Sequence, residues 1–336
     1  MRRRTVVSGL AASLGMAGLP LRLQAKPKQQ MEVSTVLETG SQFYHSAELR
    51  LPFALSGAGG AGGTGGGEGA GGGAGADGMA DHLIRIAWPR GPVPKGGFAA
   101  LHLMDGHAVA AQLDEALLER LAAAGGPAII AHGHDRDERF ATRERALAYT
   151  PPGPDGEPVT DPRGRAGGGA AQYLDRLAAE ILPQVEAIAP LDPARRLLWG
   201  HSFGGLLVLE AALFRGAPFA RFVAASPSLW WQEGAYFHRC LARIAAGGPA
   251  LLPRLDLHSG SAERQRASRP AAEDAQRLVR MRDALPEDAL DQLAAALRGV
   301  GIPGERRLYD GASHGETFVR SLQDVLTGDL LAGGLQ

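Results

Sequence analysis

An α/β fold, with a mostly parallel central sheet, helices on both faces and an antiparallel N-terminal hairpin, is what this sequence predicts. Three observations predict it. From Gly97 onward, short apolar runs alternate with stretches of helical periodicity, the pattern of a parallel sheet covered on both sides. Ahead of Gly97, two segments alternate polar and apolar residues, the period of half-buried antiparallel strands. Finally, 45% of the 336 residues are hydrophobic and the formal net charge is −1, enough apolar material for a full core and too even a balance for a disordered chain.

Residues 1–25 read as an export signal. Met1-Arg2-Arg3-Arg4 precedes an apolar, small-residue run from Thr5 to about Leu21, and the segment closes near Ala25. The arginines suit the twin-arginine route, which implies a periplasmic destination. An uncleaved N-terminal membrane anchor is the alternative. Residues 26–336 then make a single domain. Its first strands are Glu48 to Leu55 and His82 to Trp88. The Gly/Ala-rich stretch at about 56–77 between them has nothing to pack and reads as a flexible insertion at a hairpin tip. It lacks the Gly-Lys-Ser/Thr ending of a phosphate-binding loop.

The alternation then runs in order. Phe98 to Met104 is a strand, Val109 to Ala124 a helix and Pro127 to Ala131 a strand. A polar, Pro/Gly-rich stretch from His132 to Gly169 is long enough to be a functional loop. Ala170 to Ile188 is helical, Arg196 to Trp199 a strand, Phe203 to Phe214 a helix and Arg221 to Ala225 a strand. A helix from Gly234 to Ala246 and a strand from Leu252 to Leu257 follow. Two helices lie between Pro270 and Val300, then a strand at Arg306 to Tyr309 and a last helix from Glu316.

Composition removes several functions. With 35 Lys+Arg against 36 Asp+Glu there is no basic excess of the kind that grips nucleic acid. Cys240, the single cysteine, can form neither an intrachain disulfide nor a Cys-based zinc site. His132-Gly133-His134-Asp135 has the look of a metal-ligand run, yet no third convincing ligand completes it, so no metal or other cofactor is expected.

Chemistry concentrates at Gly200-His201-Ser202-Phe203-Gly204, between a strand and a helix. Gly-x-Ser-x-Gly in that context is a nucleophile elbow, a sharp turn that lifts the serine hydroxyl above the sheet edge. Glycines two before and two after the serine avoid collisions with strand and helix, and the helix N-terminus favours developing negative charge. A serine needs a base, and in this fold base and acid follow it in chain order. His314, in the small-residue loop Asp310-Gly311-Ala312-Ser313-His314-Gly315, is the expected general base and acid. His238 falls mid-helix, and His258 at a strand end could line the site. Glu263, in Ser259-Gly260-Ser261-Ala262-Glu263, is the nearest candidate for the triad acid; a Ser–His dyad is the alternative. The oxyanion hole would use the amide of Phe203 and that of His107 or Gly106, in the loop after Met104.

With those residues in place, the sequence resembles the ferric-siderophore esterases of the esterase D-like branch of α/β hydrolases, enzymes that open the trilactone of enterobactin and salmochelin. Trp199-Gly200-His201-Ser202-Phe203-Gly204-Gly205-Leu206, Ala225-Ser226-Pro227-Ser228-Leu229-Trp230-Trp231, Leu103-Met104-Asp105-Gly106, Tyr149-Thr150-Pro151 and Ser313-His314-Gly315 carry the likeness, which extends over about residues 35 to 325. The resemblance implies an α/β-hydrolase fold, Ser202 and His314 as the catalytic pair, and periplasmic action for exported members. His107 stands where the family usually has Asn, Ala148 where an Asp commonly precedes Tyr-Thr-Pro, and the glycine-rich insertion is foreign to the family. The expected partner is a small-molecule ester, an iron–siderophore complex included, with no nucleic acid and no membrane beyond the export signal. A general carboxylesterase or S-acyl hydrolase is the alternative activity. A ferric tris-catecholate is a bulky aromatic anion, so arginines and aromatics near Ser202 should bind it. The loop offers Arg136, Arg139, Arg143 and Arg145, interleaved with Asp135, Asp137, Glu138 and Glu144. Arg143 and Arg145, just ahead of Tyr149, are the preferred pair, joined by Trp230 and Trp231 at the sheet's carboxyl edge.

Overall fold

The computed structural model describes residues 34–55, 78–247, 254–265 and 272–328. The expected export signal and the Gly/Ala-rich insertion lie outside these residues. A one-turn helix α1 (Val36–Thr39) leads into β1 (Tyr44–Leu51), four residues earlier than the expected Glu48 to Leu55, and β1 pairs antiparallel with β2 (His82–Pro89) as the alternation predicts. Next come β3 (Phe98–Met104), α2 (Gly106–Ala110), α3 (Glu115–Ala123), β4 (Ala128–His134) and α4 (Thr142–Tyr149). A two-stranded ribbon, β5 (Val159–Thr160) and β6 (Ala166–Gly167), precedes α5 (Ala170–Arg176) and α6 (Leu182–Ile188). β7 (Leu191–His201), α7 (Phe203–Glu210), β8 (Arg221–Ala225), α8 (Ala235–Ala245) and β9 (Leu255–Gly260) continue the alternation. α9 (Glu273–Ala284), α10 (Ala289–Gly299), β10 (Arg306–Tyr309) and α11 (His314–Thr327) complete it.

Eight strands join in the order β1-β2-β4-β3-β7-β8-β9-β10, antiparallel at β1/β2/β4 and parallel from β4 onward. Side chains of each inner strand alternate between two cores, as a strand's period of two requires. Leu198, Phe222 and Ala224 face the core under α4 to α8 and α10, whereas Leu197, Trp199, Val223 and Ala225 face the one under α2, α3 and α11. Both faces are therefore dry, which is why these strands read as unbroken apolar runs. The chain leaves β3 toward β4 on one side and returns to β7 on the other. The carboxyl ends of β3 and β7 thus form a topological switch point, the crevice where open α/β sheets place their sites.

Four expectations are corrected. Val109 to Ala124 is two helices, because the Asp114 side chain accepts from Leu117 N at 2.7 Å and caps a fresh helix start. The strand begun at Pro127 runs on to His134, since His132 and His134 are buried in it as neutral rings. The stretch 132–169 is consequently no open loop but holds α4 and the β5–β6 ribbon. Arg196 to Trp199 is only the middle of an eleven-residue strand. From Ala170 to Ile188 the chain stays helical but loosens into a π turn at Leu177–Ile181, just ahead of Pro183, which has no N–H to give an α-helical bond.

Candidate active site

Ser202 sits between β7 and α7 with φ 60° and ψ −113°, a strained conformation for a non-glycine residue and the one the elbow demands. Only glycine fits beside it. A Cβ on Gly200 would stand 2.3 Å from Gly204 O, and one on Gly205 would stand 2.9 Å from the Pro227 Cα. At Gly204 the nearest atom is Met104 Cβ at 3.3 Å, so the tighter constraint after the serine falls one residue later than the motif implies. The same contact shows the start of α7 lying against the end of β3. The Ser202 and Ser228 hydroxyls are hydrogen-bonded at 3.1 Å, and Ser228 N donates to Ser202 O at 3.2 Å.

His314 is not in a loop but is the first residue of α11, whose cap is Ser313: its hydroxyl accepts from Glu316 N while the Glu316 carboxylate accepts from Ser313 N. The cap fixes where the helix begins and hence where the imidazole points. Its ring packs on that of His201, centroids 4.4 Å apart, and His201 Nε2–H donates to His314 O at 2.9 Å. The residue next to the serine therefore holds the helix that carries the histidine. His314 Nδ1–H donates to Glu263 Oε2 at 3.1 Å, which leaves Nε2 as the basic nitrogen.

Glu263, in the turn after β9, is fixed on every side. Its Oε1 accepts from Ser226 Oγ, from Gly260 N at 2.7 Å and from Thr317 Oγ1 at 3.0 Å. Burial alone would raise this carboxyl, but the bonds from His314, Ser226 and the Gly260 amide outweigh it and bring it down to about 2. A permanently ionised acid behind an imidazole is the arrangement that stabilises an imidazolium. Sequence reasoning missed Ser226, Ser228, Thr317 and the clamp role of His201. The Ser-Pro-Ser stretch was the available signal, because Ser226 takes φ 42° directly after β8 and so aims its hydroxyl at Glu263.

Phe203 opens α7, and Gly106 and His107 open α2, so their amides are among the first-turn donors that a helix leaves without internal acceptors. Asp105 precedes them at φ 64°. Gly106 is obligatory, since a Cβ there would lie 2.8 Å from Ala131 O. The His107 ring is buried and its Nε2 accepts from Arg85 Nη2 at 3.3 Å; burial first, and then the Arg85 charge, lower its pKa to about 4 and keep it neutral.

The structure redistributes the expected substrate residues. Arg145 is no free cation. It grips Asp105 through Nε at 2.7 Å and Nη2 at 2.9 Å, reaches His201 O at 3.4 Å and lies over the Phe203 ring, which makes it a clamp between α4, the loop after β3 and the elbow. Tyr149 is buried, with its hydroxyl 3.5 Å from His132 O, and Trp231 is buried, with Nε1 donating to Pro151 O at 3.0 Å; neither side chain reaches solvent. Trp230 stays partly exposed against Phe203, and Arg143 is exposed. His258 is buried beneath the site, within hydrogen-bonding distance of Ser321 Oγ, rather than lining it. His132 and His134 also point into the core, where His132 Nε2 meets His102 Nδ1 at 3.0 Å. Among the described residues no group of three or more His, Cys, Asp or Glu side chains could hold a metal ion, and no helix is long and apolar enough to cross a membrane.

A family model described as "Putative esterase" matches residues 84–326. The chain belongs to that esterase family. Among the chain's relatives, the apo-salmochelin esterase of Escherichia coli O6:H1 is 34% identical over 177 residues, which cover 52% of this chain and 54% of that one. The siderophore triacetylfusarinine C esterase of Aspergillus fumigatus is also 34% identical, over 48% of this chain and 56% of its own. The chain thus spans about half the length of these relatives. A solved structure of the enterobactin hydrolase IroE in complex with DFP superposes with a TM-score of 0.64 at 25% identity, covering 88% of this chain and 98% of that chain. The chain has the α/β-hydrolase fold.

Proposed function

We propose that this esterase uses Ser202, His314 and Glu263 to hydrolyse ester bonds of a siderophore, with trilactones of the enterobactin and salmochelin kind as the leading substrates. The observation that carries the reading is the His314–Glu263 pair delivered to the elbow: His314 packs on the residue next to Ser202 while its Nδ1–H is committed to a carboxylate. The substrate class comes from the relatives' names, two siderophore esterases and an enterobactin hydrolase.

In this mechanism His314 Nε2 takes the Ser202 proton as Oγ attacks the ester carbonyl. The Phe203 amide and that of Gly106 or His107 hold the oxyanion, and Glu263 stabilises the imidazolium. His314 then gives its proton to the departing alcohol. Water, deprotonated by the same nitrogen, attacks the acyl-serine, releasing the carboxylic acid and restoring Ser202. The basic, apolar start of the chain supports action in the periplasm, where fractionation should find the protein.

Product analysis decides the substrate. Ferric and iron-free enterobactin should yield ring-opened dihydroxybenzoylserine chains, with kcat/KM well above that for p-nitrophenyl acetate. Ser202→Ala should abolish both reactions by roughly 10³-fold or more. Cleavage of the simple ester without the trilactone would turn the assignment to a general carboxylesterase, and an unchanged Ser202→Ala enzyme would reject the mechanism.

A further inference from the structure

Four arginines lie between β4 and Tyr149, and the structure accounts for two of them. Arg136 is tied to Glu144 at 2.6 Å and to Gly78 O at 2.7 Å, and Arg145 to Asp105. Arg143 is exposed. Arg139 differs from all three. Its guanidinium is partly buried, its Nε is sealed from solvent without a hydrogen-bond partner, and it pairs with no carboxylate among the described residues. Asp137 and Glu138, its neighbours in sequence, do not reach it. Instead it lies over two phenyl rings, 5.5 Å from the centroid of Phe140 and 5.9 Å from that of Phe318.

Phe318 fixes where that charge stands. It follows His314 by four residues on α11, so the two share a helix face one turn apart, and a helical side chain leans toward the N-terminus, here toward His314. The Phe318 ring also meets His201 edge-on at 5.5 Å. Among the described residues, Arg139 is therefore a cation held beside the imidazole pair by ring faces alone. Burial without a counter-charge lowers its pKa, a cost the fold does not offset within itself. Ring faces orient a guanidinium but leave its N–H fork open for an oxyanion.

We propose that Arg139 is a specificity-determining residue that receives a negatively charged group of the ester substrate on the His314 side of the site. This deepens the esterase reading and rests on it. The chemistry recognised is an oxyanion (sulfonate, carboxylate or catecholate oxygen) about one helical turn from the catalytic imidazole.

The test pairs two acetyl esters that differ in charge, 4-acetoxybenzenesulfonate and the neutral 4-acetoxybenzenesulfonamide. Wild-type turnover of the neutral ester probes the esterase reading by itself, and the ratio of kcat/KM for anion over neutral probes Arg139. In Arg139→Gln that ratio should fall about ten- to a hundredfold, the effect of losing a hydrogen bond to a charged group, chiefly through KM. The neutral ester and Tm should stay unchanged, and Arg139→Lys should recover part of the ratio. An unchanged ratio in an active Arg139→Gln enzyme overturns the assignment, as does an equal loss for both esters together with a lowered Tm, which would make Arg139 a clamp for Phe140 and Phe318. A wild-type enzyme inert to both esters would overturn the esterase reading and this one with it.

Discussion

At the scale of single residues, the decisive group is Glu263, because its presence separates a triad from a dyad. A carboxylate that only decorated the surface would not collect a serine, a threonine, a backbone amide and an imidazole on its two oxygens. Glu263→Gln keeps the shape but removes the charge that stabilises the imidazolium. Its kcat on p-nitrophenyl acetate should drop by about 10³–10⁴-fold with KM little changed. A drop below about tenfold would mean that Ser202 and His314 work without it. The acid limb of the rate cannot belong to Glu263. Its folded pKa is about 2, so it stays ionised at every pH where ester turnover is practically measured. The linked stability has the same sign: present above the unfolded value of 4.5, it is lost only as pH falls through about 2.

At the scale of elements, three pieces of backbone must meet for the site to exist: the end of β3, the start of α7 and α4. Arg145 joins them through Asp105, His201 O and Phe203. Its side chain is 12% exposed and that of Asp105 3%, so the pair is buried, and breaking one partner strands the other charge. Arg145→Gln should cost about 3–5 kcal/mol, read as a lower Tm, and should reduce kcat by letting the oxyanion loop drift from the elbow. Adding Asp105→Asn should return much of the Tm, since Asn tolerates the left-handed backbone at this position. A single variant as stable as wild type would remove the clamp. This element also marks what the sequence could and could not disclose. Gly-x-Ser-x-Gly is a local signal, and so is the apolar run Phe222–Ala225 within β8; each is readable within its own span. The Asp114 cap is local too, but a continuous apolar periodicity conceals it. Arg145 and Asp105 are forty residues apart, and nothing in the Arg143 to Tyr149 segment tells a committed guanidinium from an open one. For the same reason only the fold, by giving Arg136 and Arg145 their carboxylates, sets Arg139 apart from them.

At the scale of the whole molecule, the unusual feature is the number of histidines inside it. Seven of the ten are buried: His82, His102, His107, His132, His134, His201 and His258. Burial holds every one below its ordinary value, His107 and His258 at about 4, His132 and His134 at about 3, His82 at about 2, and His102 and His201 well below 6.5. Four of them, His82, His102, His132 and His134, share one sheet face, and His82 Nε2, His102 Nε2, His132 Nδ1 and His134 Nε2 lack a partner among the described residues. The folded chain therefore refuses protons that the unfolded chain accepts. Because each folded pKa is depressed, the stability tied to it is complete above the unfolded value of about 6.5 and is lost progressively as pH falls from there through about 4 to 3. Each such group costs about 1.4 kcal/mol per pH unit in that window. Several acting together exceed a typical net stability of about 5–15 kcal/mol within one or two units. The protein should consequently unfold cooperatively at roughly pH 4 to 5, well before Glu263 titrates. Far-UV circular dichroism and Tm between pH 7.5 and 3.5 check this, and a Tm unchanged down to pH 4.5 would show that the folded chain takes up those protons as readily as the unfolded one. His102→Gln sharpens the test. Glutamine can still hydrogen-bond His132 but does not titrate, so the acid midpoint should move to lower pH while the Tm at pH 7.5 changes little.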